Sequence, residues 1–462
     1  MNLTLIPTVA IGLVGLLPHT VGAPISPGAA TAGASHYQGW ATLGLSNGLI
    51  ELQLLPEIGG RIIQFKLAGT EFLWANGQLG GRLPLSSGLA ADGTWFNCGG
   101  DKLWPAPQGW DNDQQWPGPP DAVLDGQPYV VEKLPSQAGV IAVRLTSRED
   151  LRSGIQFLRV IRVFEGSTRV SFDATMKNVD QKPRSWGIWA HTQLKAARAD
   201  GAGPNLLLQA WCPLNPNSRF AKGYSVTFGA PANPAFQPEA KRGLMRVQYQ
   251  YRVGKIGLDS DAGWVATVNG ENGTVFVQRF RFEPGKAYPD GASVEFWLNG
   301  AGQIHAYNKE MVMSTNAAEN PYVLESEILS PLAQLRPGQS YTWHYDWYAA
   351  SVGGNFPISH CSDLGVVSAP LRVETASGQL RLKGRFGVFV PGCVRAEFRD
   401  GTGRTLAKAD LPQKASPLEA LVLDQEVQAP RGATVIKLLL VGSNGKSLGE
   451  LGEAKLRDGQ RL

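Results

Sequence analysis

The chain has 462 residues, 43% hydrophobic and 18% charged, with 55 glycines and 31 prolines. That is apolar enough for a sizeable core and rules out global disorder, and the length exceeds one ordinary domain, so two are expected, one of them large. A net charge of only +4, with no Lys/Arg cluster and no aromatic nucleic-acid motif, argues against nucleic acid as a partner.

Residues 1–23 read as a signal peptide. Ile11 to Leu17 lie in an apolar run, and Val21-Gly22-Ala23 offers a small-residue cleavage site. No Asp, Glu, Lys or Arg precedes Glu51, so the usual basic start is missing, and an Ala/Gly-rich leader is the alternative. The run is too short for a transmembrane segment, and no other stretch is long enough. The expectation is export to the periplasm or beyond, with residues 24–36 a flexible leader.

Residues 37–350 are expected to form a large all-β sandwich. Short period-two segments recur at Leu49 to Leu55, Val140 to Leu145, Phe157 to Phe164, Arg169 to Met176, Val275 to Phe280 and Ser293 to Leu298. Turn signals such as Glu165-Gly166-Ser167 and Pro289-Asp290-Gly291 separate them. No long helical period appears.

Four segments in this region can carry chemistry. In the first, Pro56 to Phe65, paired Gly59-Gly60 turn the chain and Arg61 follows, placed to enter a cleft or to brace the turn. The second, Trp95 to Trp110, reads as a long loop holding Lys102, Trp104 and Trp110. Its tryptophans pack beneath the loop or line a site. The third leads into a strand on which Trp189, His191 and Gln193 share one face, the aromatic, titratable and polar mix that a sugar cleft needs. A structural histidine is the alternative there. In the fourth, Glu325 and Glu327 lie two apart on a strand and face one side. If that face is buried, one carboxyl has a raised pKa and suits acid or base work; if solvated, the pair is inert.

Residues 351–364 are expected as an irregular linker, and 365–462 as a small accessory Ig-like β-domain. All thirteen Trp and all eleven Tyr precede residue 349. The second domain therefore has no indole or phenol platform for a sugar and reads as structural, with Phe386, Phe389 and Phe398 for its core. Cys98, Cys212, Cys361 and Cys393 form no metal motif. Cys361 with Cys393 would staple the small domain; free thiols are the alternative. No nucleotide loop, nucleophile elbow or zinc motif appears, so no cofactor is expected, and a cation at Glu325 and Glu327 lacks a full ligand set.

In order and in wording, the segments resemble the galactose mutarotase-like superfamily, closest to a bacterial family catalogued as domain of unknown function 4380. Gly59-Gly60-Arg61-Ile62, the Gly99 to Pro107 stretch and Glu325 to Leu332 before Pro337-Gly338 carry the resemblance over about residues 37 to 349. It implies a twisted β-sandwich with a carbohydrate site on its concave face. His191 then falls where mutarotases have their acid, and Leu324-Glu325-Ser326-Glu327 is similar to the motif holding their base. Cys98 stands where another mutarotase motif has histidine.

The implied function is action at the anomeric centre of a sugar: aldose 1-epimerase-like catalysis with Glu325 as base and protonated His191 as acid. Arg61, Lys102, Trp104, Trp110, Trp189, Gln193 and Glu327 would hold the substrate. The alternatives are a non-catalytic glycan binder, a structural envelope protein, and a glycoside hydrolase or lyase using the Glu325/Glu327 pair.

Overall fold

The computed structural model describes residues 28–135, 137–376 and 379–456. The expected signal peptide lies outside the described residues. Strands dominate, all paired antiparallel, with three short 3-10 turns and no α-helix among the described residues.

Two large sheets face each other. The front sheet has twelve strands, and its central run is Arg61–Leu67, Asp101–Ala106, Arg184–Lys195, Val323–Leu329, Val294–Leu298, Gly254–Leu258 and Ser225–Gly229. The back sheet has ten, centred on Thr274–Phe280, Ser340–Ser351, Val170–Asn178 and Ile155–Phe164. Alternation sorts each strand: Ile188, Ala190 and Leu194 of one strand, and Leu324 and Ile328 of its neighbour, join the core between the sheets. There Phe65 packs against Phe276 and Trp347 of the back sheet, with ring centroids 5.9 and 5.8 Å away.

One ion pair crosses this core. Asp101 of the front sheet meets Arg159 of the back sheet, both fully buried. Asp101 also accepts from Thr192 Oγ1 at 2.7 Å, and Arg159 donates to Tyr345 Oη at 2.6 Å. The guanidinium lies 4.5 Å from the Phe172 ring, so its remaining edge rests on aromatic faces.

Three expectations are corrected. Residues 31–36 are not leader: Thr31–Tyr37 is an edge strand paired with Trp40–Ser46. Its Thr/Ala/Gly/Ser composition hides it, because an edge strand with a mostly exposed face needs few large apolar residues. The Trp95 to Trp110 segment is not loop throughout: Asp101–Ala106 is a buried central strand in which Pro105 sits opposite Ile188. Proline there is what obscured it. Cys361 and Cys393 form no staple; all four cysteines are free thiols.

Gly302–Ala306 and Lys309–Met313 pair as a separate hairpin, and the remaining strands form two four-stranded sheets, a small sandwich with Phe386 and Phe398 in its core. Phe389 points elsewhere, stacking on Tyr348 of the back sheet at 4.4 Å. With Val352, Ile358 and Val366 it seals the outer face of that sheet around Trp211 and Trp264. Val352, Ile358 and Cys361 thus anchor the expected linker on that sheet, while the residues between them are half-buried or exposed.

Candidate functional site

The outer face of the front sheet carries the side chains that alternate with the core. Register sets them in rows. Lys102, His191, Glu327 and Glu295 stand opposite one another on successive strands. The next row is Gln193, Glu325, Trp297 and Lys255. Trp104 and Trp189 pair on the other side.

Above these rows lies a cleft of about 1360 Å³. Glu325, His191, Gln193, Trp104 and Trp189 reach its floor. One wall is the irregular segment 77–97, with Leu83, Leu85 and Trp95; the other is the hairpin Gly302–Ala306/Lys309–Met313, with Ile304 and Met311.

Glu325 is the hub. Its Oε2 lies 2.9 Å from His191 Nε2, and its Oε1 accepts from Gln193 Nε2 at 2.7 Å. Gln193 Oε1 accepts from Lys102 Nζ at 3.0 Å, so the amide's orientation is fixed from below. The His191 ring lies 4.1 Å from that of Trp104, and His191 Nδ1 has no hydrogen-bond partner among the described residues. Glu327 is fully buried beneath. Its Oε2 accepts from Trp189 Nε1 at 2.8 Å and from Lys255 Nζ at 3.0 Å. Lys255 also pairs with Glu295 at 2.8 Å and sits 4.2 Å from the Trp189 ring centroid.

Burial sets the charges. It drives His191 down to about 4, against the pull of Glu325, so the imidazole is neutral near pH 7. Burial alone would raise Glu325, but His191, Lys102 and Gln193 together hold it below the ordinary carboxylate range. Burial lifts Glu327 to about 8, with the charges of Glu295 and Glu325 adding to the rise and Lys255 opposing it. Burial and the Arg61 charge bring Lys102 down to about 8. The floor therefore holds one ionised carboxylate facing the cleft and, under it, a carboxyl whose pKa burial has raised well above the ordinary range. The proton-donor role expected for a charged His191 does not fit a value of about 4; Nε2–H of the neutral ring donates to Glu325 instead.

Arg61 does not reach the cleft. It is fully buried and braces the turns, donating to Ile58 O, Gly99 O, Asp125 O and Asp125 Oδ1 at 2.8–2.9 Å. Asp125 in turn accepts from Trp95 Nε1 at 2.5 Å and Trp104 Nε1 at 3.2 Å, so Arg61 positions two indoles from behind. Gly100 turns the chain into the Trp104 strand at φ 77°. A Cβ there would stand 2.3 Å from Ile62 O, so only glycine fits.

Lys102 and Glu327 lie under the floor rather than in it. Trp110 stands at the far end beside Phe228 and Tyr307. Lys255, Glu295, Trp297 and Asp125 were not identified from sequence. Glu295 and Trp297 alternate within a segment read as a strand, which was the available signal; Lys255 and Asp125 carry none.

Ligand atoms of His191, Glu325 and Glu327 lie within 4.8 Å of one another. A divalent cation suits them poorly, because Lys102 and Lys255 already supply positive charge there.

No helix among the described residues is long and apolar enough to cross a membrane. No family model matches the chain, and no curated protein matches it in sequence. Solved structures show distant likenesses to it. A TPR-domain containing protein from Parabacteroides distasonis is 11% identical with a TM-score of 0.44 over 69% of this chain and 48% of that one; the chain spans about half its length. A galactose mutarotase-like protein from Clostridium acetobutylicum is 10% identical with a TM-score of 0.42, covering 70% of this chain and 99% of its own. A galactose mutarotase related enzyme from Lactobacillus acidophilus is 12% identical with a TM-score of 0.40, covering 70% and 98%. These are likenesses of this chain and assign it no activity.

Proposed function

We propose that this protein binds a carbohydrate in the cleft and acts at its anomeric centre, with Glu325 as base. The observation that carries the reading is an ionised carboxylate on the floor of an aromatic-walled cleft, oriented through both oxygens by His191 and Gln193. Indole faces accept the apolar face of a sugar, and the polar floor receives its hydroxyls.

In a mutarotation, Glu325 takes the proton of the anomeric hydroxyl while the bond from C1 to the ring oxygen breaks. The ring oxygen receives that proton from the Glu325 carboxyl as the ring opens, while the neutral His191 keeps its Nε2 proton and holds the carboxyl in place, so the pair ends as it began. Ring closure on the other face of the carbonyl gives the other anomer.

The expected pH profile follows from the floor. Below about 4 the Glu325/His191 pair holds an extra proton and the base is lost. Above about 8 Lys102 loses its charge and Glu327 gains one, and both changes add negative potential around Glu325. Turnover should therefore hold a plateau between these limits; an acid limb at an ordinary histidine value would remove the neutral ring from the scheme. Glu325→Gln should lower kcat on the order of a hundredfold or more while sugar affinity stays within a fewfold. Unchanged turnover would remove Glu325 from the chemistry.

The mutual hydrogen bond of His191 and Glu325 also favours a second reading, a non-catalytic sugar binder, in which the pair only presents acceptors. His191→Ala would then weaken neither binding nor any turnover. A hydrolase using Glu325 and Glu327 together is disfavoured, because Glu327 is capped by Trp189 and Lys255 and has no access to the cleft. Export, expected from residues 1–23, belongs to the same proposal; the mass of the mature protein recovered from its host tests it.

A further inference from the structure

The cleft is longer than the acid/base centre requires. It runs from Trp104 on Asp101–Ala106 to Phe228 on Ser225–Gly229, five strand spacings across the front sheet. At about 4.8 Å per spacing that is roughly 24 Å. The volume of about 1360 Å³ also exceeds the range of about 300–1,000 Å³ in which compact small molecules are held. His191 and Glu325 stand on the second and third of these six strands, on the Trp104 side of the cleft.

The other end is built differently. Trp110 lies 5.0 Å from Tyr307 and 6.4 Å from Phe228, and Phe228 lies 5.8 Å from Trp297, measured between ring centroids. Tyr307 is held at the tip of the Gly302–Met313 hairpin, where Tyr307 and Asn308 both turn at positive φ. Its hydroxyl donates to Pro119 O at 2.7 Å, tying the hairpin to the Trp110 loop. Trp110 Nε1 is likewise spent on Pro117 O at 2.9 Å. These rings are fixed platforms with few polar groups of their own.

The charges in the lining narrow the class further. Its cationic side chains are Arg82 and Lys255. Arg82 donates to Leu79 O and Gln78 O, and Lys255 is held between Glu295 and Glu327. Among the described residues Arg82 forms no ion pair and stands exposed on the wall, whereas over the floor the Glu325 carboxylate would repel an acidic sugar.

Building on the proposed function, we infer that the ligand is a neutral oligosaccharide. Its terminal unit sits over Glu325, and its next units stack on an outer subsite formed by Trp110, Tyr307 and Phe228.

Calorimetric titration of the purified protein tests this with a neutral sugar, its di- to tetrasaccharides, an oligosaccharide containing uronate, and the octyl glycoside of the single unit. Affinity should rise from the monosaccharide to the neutral oligosaccharides. In Trp110→Ala the oligosaccharide-to-monosaccharide affinity ratio should fall about tenfold. Tyr307→Asn, which keeps a residue tolerant of positive φ on an exposed tip, should lower the same ratio without disturbing the fold. A ratio near one in the parent protein overturns the inference while leaving the proposed function standing. So does a preference for the uronate ligand, or an octyl glycoside that gains as much as the oligosaccharides. Absence of binding by any sugar overturns both.

Discussion

Replacing Arg159 by methionine should destabilise the protein by about 3–5 kcal/mol, because it strands Asp101 as an unpaired carboxylate between the two large sheets. For a domain of this size that is a fall of roughly 10 °C in Tm. Asp101 keeps Thr192 as a donor, which does not neutralise it. The double variant Arg159→Met/Asp101→Asn should recover a large part of the loss, since no buried charge is then left alone. Denaturant unfolding of the parent, both single variants and the double variant gives the coupling directly. Single losses below about 1 kcal/mol would mean that water reaches the pair and that the core is not dry there.

The second large effect belongs to Lys255. It is the common cation of Glu295 and Glu327, and those two carboxylates hold its own pKa above the ordinary value despite burial. Lys255→Met leaves two buried acids under Trp189 with no counter-charge, again a loss of about 3–5 kcal/mol near pH 7. The pH dependence identifies the cause. A carboxyl whose folded pKa is raised binds its proton more tightly when folded than when unfolded. The stability it contributes is complete below its ordinary value and is lost as pH rises through the raised one. Glu327 is already raised to about 8 in the parent, and removing the lysine raises it further. The variant should thus trail the parent by a fixed amount up to about pH 8 and fall further behind between about pH 8 and 10, where the parent's Glu327 ionises and the variant's keeps its proton. A constant deficit across that range would place the cost in lost packing of the lysine stem instead.

Much of the floor was legible before any coordinates. Trp189, His191 and Gln193 alternate along one segment, and Glu325 and Glu327 along another; period two alone puts each set on one face. Both strands proved central, so both faces converge on one cleft. What sequence could not supply was adjacency. Glu295 and Trp297 alternate in the same manner, yet nothing marked their strand as the neighbour of the Glu325 strand. Lys255 sits between glycine and isoleucine in a run with no distinguishing pattern. Asp125, which gathers Trp95, Trp104 and Arg61, is a single acid in an irregular segment, and its role exists only through contacts made across the fold. The Asp101–Ala106 strand was hidden for a different reason: Asp101, Lys102 and Pro105 within six residues obey the rules of a loop, and only the ion pair, the floor and an interrupted ladder make them a strand.

That strand also sets how the protein can change. Asp101 and Lys102 are consecutive, and their side chains leave on opposite sides, one into the inter-sheet pair and the other under the cleft floor. A one-residue slip would exchange them, so the register is fixed by charge on both faces at once. The floor can neither loosen nor drift without a cost to folding, and substitutions in it should be purged even when they leave chemistry intact. The two walls, segment 77–97 and the hairpin, lie outside both large sheets and carry no such penalty. Variation among descendants of this chain should therefore collect in the walls. New ligand preferences would then arise without loss of stability, while the reacting end of the cleft stays as it is.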